Sequence, residues 1–273
     1  MAEPAFTVVI PTHGRPALLD EAIRSVLAQE ELSLECVVVD DAGDPPARVP
    51  ADGRVRLVRH RSNRGLSAAR NTGIRMARGR AITFLDDDDL LAPDRLTIAR
   101  QGLARAPVAI CFRGDYPGGT PGRNRRLDGD VLDQILDEAV PHVGQACVAR
   151  EVIPAFDDEL RAGEEIDWWL RLVSSNHVVT VPRIGYLFRV HEGARDGNGA
   201  DVRVRARLTL LERYAPYFRT HRTADAFQWM RLGLLAEQAG DRPTARRAFA
   251  RSLARRPRPN VAWHLARSLG GAA

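Results

Sequence analysis

The sequence predicts an α/β fold, a mostly parallel central sheet with flanking helices, followed by a smaller helical appendage. Three observations lead there. Between Phe6 and Ala106 short apolar runs alternate with stretches of helical period. Several of those runs are apolar throughout rather than at every second residue, as strands covered on both faces require. From Trp229 onward the chain turns to helical sequence rich in alanine, leucine and arginine. With 273 residues and 44% hydrophobic content there is enough material for one large domain and an attachment. The boundaries fall at 1–200, with halves at 1–106 and 107–200, and at 201–273.

Each element has its own warrant. "FTVVI" is a buried strand, and "PALLDEAIRSVLAQ" a helix with Pro16 in its first turn and Leu19, Ile23, Val26 and Leu27 on one stripe. "LECVVVDD" is a second buried strand, while "RVRLVRH" alternates and reads as half-buried. "SAARNTGIRMARG" is a helix from Ser67 stopped by Gly79, and "AITFLD" a fourth strand. "VAICFRGD" and "GQACVARE" continue as strands, with the Gly, Pro and Arg-rich loop 117–130 between them suited equally to closing over a substrate or to a surface insertion. In "RAGEEIDWWLRLVSS" the helical wheel puts Ile166, Trp169, Leu170 and Val173 on the core stripe, Glu164 opposite, and Glu165 and Asp167 on the flanks. Further strands follow in "HVVTVPRIGYLFRV".

Composition removes several functions. The net charge of +5 comes from arginine alone, since the chain has no lysine. Eight arginines and no acid lie between Arg242 and Ala273, but no nucleic-acid motif accompanies them, so no nucleic-acid partner is expected. No apolar run reaches the roughly 20 residues of a membrane span, and the opening residues lack a signal-peptide pattern, which predicts a cytoplasmic protein. Cys36, Cys111 and Cys147 are odd in number and sit in apolar segments, so buried thiols are expected.

Ligands of open parallel sheets bind at the carboxyl ends of the strands. There the sequence puts "PTHGRP" after the first strand, Asp40 and Asp41 after the second, and Asp86, Asp87, Asp88 and Asp89 after the fourth. The first loop has a single glycine, Gly14, so G-x-G-x-x-G is excluded, and no Walker loop exists. The aspartate run lacks the alternation, central glycine and distal glutamate of a calcium loop. A nucleotide or phosphate site held through a bound cation is the reading that remains.

Together, "VVIPTHGRPALLDEAIRSVLAQ", "CVVVDDAG", "NRGLSAARNTGIRMARGRAITFLDDDD" and "GEEIDWWLRL" resemble the successive signatures of family 2 glycosyltransferases of GT-A fold, over residues 6–195. The resemblance implies an inverting, metal-dependent transferase using a nucleoside-diphosphate sugar, usually a UDP-sugar. It implies a nucleotide site of Pro11, Thr12, His13, Arg15, Asp40, Asp41, Arg64, Gly65, Arg70, Asp86 and Asp87. A Mn or Mg ion is implied at Asp86, Asp88 and His191, and Glu165 as the base acting on an acceptor of unknown identity. His13-Gly14 stands where the family more often has Tyr-Asn, which bears on base preference. Residues 223–257 resemble one tetratricopeptide repeat, through Trp229, Leu232, Gly233, Ala236, Gly240, Ala245, Phe249 and Pro257. A single repeat must pack on something, the catalytic domain, the helix around Leu208 to Phe218 or a second subunit. Two rival functions are a metal-dependent nucleotidyltransferase, which would normally open with a Gly-rich loop, and a non-catalytic binding scaffold, against which the retained aspartates and Glu165 argue.

Overall fold

The computed structural model describes residues 3–30, 33–117, 124–136, 140–160, 162–189 and 199–269. The chain divides into two compact units, the first of residues 1–131, 141–158 and 168–192, the second of 132–140, 159–167 and 193–273.

The first unit is the α/β part. Its strands are β1 (Phe6–Thr12), β2 (Leu34–Asp40), β3 (Val55–Arg59), β4 (Ala81–Phe84), β5 (Leu90–Leu91), β6 (Val108–Tyr116), β7 (Ala146–Ala149) and β8 (Val178–Arg189). Helices α1 (Pro16–Leu27), α2 (Leu66–Met76) and α3 (Arg95–Leu103) connect them. Among the described residues they form one sheet in the order β3-β2-β1-β4-β7-β6-β8-β5. β1 to β4 are mutually parallel, β6 and β8 parallel to each other, and β7 and β5 reversed against their neighbours. Every residue of β1 and β2 is buried, as their mainly apolar runs demand, with Thr7 donating to Glu35 between them, whereas β3 is partly exposed.

The helices lie on this sheet through small residues and an apolar stripe. Leu19, Ile23 and Val26 of α1 join Val8, Ile10, Cys36 and Val38 in one core cluster. Gly73 brings α2 onto β1 so closely that a Cβ there would stand 2.1 Å from Val9 Cγ1. One expectation needs correction, and two features are new. "HVVTVPRIGYLFRV" makes a single strand, β8, irregular in its pairing beside Cys111 and Phe112. The two-residue β5 was not foreseen, being too short to show a period. The Asp run forms a turn after β4, with the Asp89 amide donating to the Asp86 carbonyl at 3.1 Å.

The second unit holds α4 (Leu132–Leu136), the first turn of α5 (Glu164–Val173), and α6 (Ala200–Arg213), α7 (Ala215–Thr220), α8 (Arg222–Gln238), α9 (Arg242–Arg255) and α10 (Pro259–Leu269). Gly240, at φ +73°, turns the chain from α8 into α9, which Asp241 caps through the Thr244 amide at 3.1 Å. Gly233 meets the Phe249 ring, leaving 2.5 Å for a Cβ. The arginines of the basic tail are in part spent internally. Arg255 pairs with buried Asp225 at 2.6 Å, Arg246 donates to the Ser268 carbonyl, Arg251 covers Trp229 and Arg267 pairs with Glu237. Among the described residues no helix is long and apolar enough to cross a membrane.

Candidate active site

The carboxyl ends of β1, β2 and β4 and the start of α2 meet, and their polar residues form one connected network. Pro11 and Thr12 end β1, both buried, paired with Val39 and Asp40 of β2. Thr12 Oγ1 donates to Asp87 at 2.6 Å, and its carbonyl accepts the Asp41 amide at 2.9 Å. His13, exposed in the next loop, contacts the Asp41 carbonyl through Nδ1 at 2.9 Å. Arg15 reaches across to Asp87 at 3.3 Å and Asp88 at 3.0 Å. Gly14 and Gly43 let the two loops touch, since a Cβ on Gly43 would lie 2.3 Å from the Gly14 nitrogen.

The adjacent aspartates divide their work. Asp40 accepts the amides of Gly43 at 2.8 Å and Ala47 at 2.9 Å and pairs with Arg59, so its carboxylate organises the loop after β2. Asp41 faces the other way. It accepts the amides of Arg64 at 2.9 Å and Gly65 at 2.7 Å, and His60 Nδ1 lies 2.7 Å from it while His60 Nε2 meets Thr72 Oγ1 at 2.9 Å. Asp41 thus ties the end of β2 to the segment entering α2, where Gly65 takes φ +91°. His60 was not among the expected site residues, because a lone histidine carries no signal in a single sequence.

The Asp run is ordered from several sides. Fully buried Arg70 of α2 donates to Asp86 Oδ1 at 3.1 Å, and His142 Nε2 lies 3.3 Å from Asp86 Oδ2. Burial pushes the Asp86 carboxyl upward, but Arg70 and His142 outweigh it and hold the group below the ordinary range. Asp87, by contrast, is pushed up to about 6, chiefly by burial and further by its neighbours Asp88 and Asp86, against the Thr12 hydrogen bond and Arg15. Asp89 is raised as well, by burial first, although Tyr186 donates to it at 2.7 Å and the Arg189 amide at 2.9 Å. Arg189 Nε also donates to the backbone carbonyl of Asp88 at 3.0 Å.

Oxygens from Asp86, Asp88 and Asp89 lie within 4.8 Å of one another. A set of hard carboxylate oxygens fits Mg or Mn better than a softer metal. Asp89, which was not among the expected ligands, is brought beside Asp86 by the turn. His191 lies outside the described residues, as does part of the loop 117–130.

Glu165 is half-buried in the first turn of α5. Asp167, expected on a flank, is 1% exposed and committed to Arg213 at 2.9 Å and the Tyr214 hydroxyl at 2.6 Å. The buried stripe of α5 therefore differs from the wheel. Trp168 and Leu172 are buried along with Trp169, Leu170 and Val173, and Ile166 only in part.

Residues 7–153 match the family described as Glycosyl transferase family 2. The succinoglycan biosynthesis protein ExoO of Rhizobium meliloti is 46% identical over 243 residues, covering 78% of this chain and 69% of that protein. Three other relatives are much longer, and this chain spans 23% to 31% of them. Among solved structures, S. aureus TarS 1-349 in complex with UDP-GlcNAc superposes with a TM-score of 0.61 at 16% identity, over 97% of this chain and 79% of that one. The mannosyltransferase PcManGT of Pyrobaculum calidifontis, in complex with GDP-Man and Mn2+, gives 0.58 at 22% identity, with the same coverage of each chain.

Proposed function

Because the chain belongs to glycosyl transferase family 2, we propose that it moves a sugar from a nucleotide-sugar donor to an acceptor nucleophile, by metal-assisted direct displacement with inversion. A UDP-sugar is the first candidate donor. The observation that carries the proposal is the network that runs from Asp41 and Thr12 to Asp87 and, through Arg15, to Asp88, with Asp86 held by Arg70 in the same run, from the base-reading end of the expected site toward its diphosphate end.

In this reading Asp41, braced by His60 and two backbone amides, presents the remaining lone pair of Oδ2 to a pyrimidine N–H. Thr12 and His13 line the base beside it. A cation bound by Asp86, Asp88 and Asp89 would neutralise charge on the departing diphosphate. Arg15 and Arg64 add positive charge along the same edge. Glu165 takes the acceptor proton, and Asp167, already held by Arg213 and Tyr214, supports its helix rather than the reaction. The α8–α9 hairpin, with its resemblance to a tetratricopeptide repeat, serves as a platform for the acceptor or for a partner chain.

The test is a donor screen. UDP-, GDP- and TDP-sugars, and in parallel nucleoside triphosphates with a sugar 1-phosphate, are incubated with the protein and Mn; release of free nucleotide and of pyrophosphate is measured, and nucleotide binding is followed by calorimetry. Selective release from one donor is expected. Release of pyrophosphate from a nucleoside triphosphate in place of it would mark a nucleotidyltransferase, and no turnover with intact nucleotide binding a scaffold.

A further inference from the structure

Resting on that reading, we infer that His142 is a positioning residue for the cation-binding carboxylates, holding Asp86 directly and Asp89 through Tyr186. His142 stands at the head of a 3₁₀ turn (Val143–Gln145) that leads into β7. Nδ1 accepts the Gly144 amide at 3.3 Å, so in the neutral ring the proton sits on Nε2, the atom 3.3 Å from Asp86 Oδ2. With Arg70 on Oδ1 and His142 on Oδ2, both oxygens of Asp86 are fixed from opposite elements.

The imidazole also packs on Tyr186, ring centroids 5.0 Å apart, and meets the Phe188 ring at 6.4 Å. Tyr186 in turn donates its hydroxyl to Asp89 at 2.7 Å. One side chain therefore braces two of the three carboxylates whose oxygens converge within 4.8 Å.

The turn beneath is built to stay in place. The His142 amide donates to Gln145 Oε1 at 3.2 Å, and Gln145 Nε2 to the Cys111 carbonyl of β6 at 3.0 Å. Buried Arg95 donates through Nη2 to the carbonyls of Gly144 and Gln145 and to Thr83 Oγ1 of β4. Gly144 leaves no room for a side chain, since a Cβ would lie 2.1 Å from the Tyr186 ring. A fully buried arginine, a buried glutamine and an obligate glycine thus hold one partly exposed histidine against Asp86, at 17% and 26% side-chain exposure respectively.

Two substitutions separate the cap from the carboxylate contact. His142→Asn keeps an acceptor for the Gly144 amide but falls short of Asp86; His142→Gln reaches Asp86 with an N–H but makes a poor cap. Calorimetry with UDP in Mn buffer, and with Mn alone, is run on both and on the wild type, with melting in EDTA as the control for folding. His142→Asn should melt as wild type yet bind Mn and UDP-Mn at least about tenfold more weakly, while His142→Gln stays within about threefold of wild type. Wild-type affinity in His142→Asn overturns the inference, and so does equal weakening in His142→Gln. Should His142→Asn fail to fold, the affinity of His142→Gln decides alone, support if near wild type and refutation if weakened. A wild type that binds no UDP with Mn refutes the underlying reading and this inference with it, an outcome distinct from a binding wild type matched by His142→Asn.

Discussion

Asp41 shows how much one carboxylate is asked to do. It closes the junction between β2 and α2 through two amides and His60, and in the proposed function it also reads the base. Asp41→Asn places an amide N–H2 against groups that donate, so it should lower melting temperature and weaken UDP binding by about 1–3 kcal/mol. Unchanged UDP affinity measured by calorimetry would remove Asp41 from the base pocket and leave it a structural brace. Glu165 and Asp167 offer a sharper contrast. Glu165→Gln should cut turnover by roughly 10² to 10⁴ while melting and donor affinity stay near wild type. Asp167→Asn should lose stability, by about 1–3 kcal/mol, because it weakens a buried contact with Arg213 and Tyr214. A dead but fully stable Asp167→Asn, beside an active Glu165→Gln, would reverse the two roles. At this scale the sequence showed residues that come in runs or motifs, such as Asp86 to Asp89. It did not show His60 or His142, whose meaning lies in partners 19 and more than 50 residues away along the chain.

Elements were legible in proportion to the regularity of their burial. β1 and β2 are buried on both faces, and their continuous apolar text announces it. α1 packs through one stripe and matched its wheel, with Leu19, Ile23 and Val26 buried and Leu27 partly so. α5 did not, because it is covered on more than one side. Trp168 stacks on Phe156 at 5.3 Å and donates to the Pro154 carbonyl, while Trp169 donates to the Pro141 carbonyl and Asp167 is buried by an ion pair. A single-stripe wheel cannot anticipate a helix with two buried faces. The Asp turn was not legible for a related reason, since four like residues give no period from which to tell a turn from a strand. The contact of α2 with β1 yields a prediction of its own. Gly73→Ala forces a methyl group onto Val9 and should destabilise the protein by about 1–3 kcal/mol, read from denaturant unfolding. A loss below about 0.5 kcal/mol would mean that α2 shifts freely on the sheet.

For the whole molecule, the sheet's composition makes a chemical forecast. Cys36 and Cys147 are pushed up to about 12 by burial, and Cys111 is raised by the same cause, all three in the sheet of the first unit. A disulfide-forming thiol reagent at neutral pH should therefore find no reactive cysteine in the native protein and three after denaturation. Rapid labelling of the native state would mean that the sheet opens on the timescale of the assay. The central claim, that the strand ends form a cation-dependent nucleotide site, is tested most directly by titrating UDP into wild type and Asp88→Asn, each in Mn and again in EDTA. Wild type should bind UDP in Mn and lose most of that affinity in EDTA, and Asp88→Asn should bind weakly in both. UDP binding that is indifferent to Mn, or an Asp88→Asn variant that matches wild type in Mn, would contradict the account.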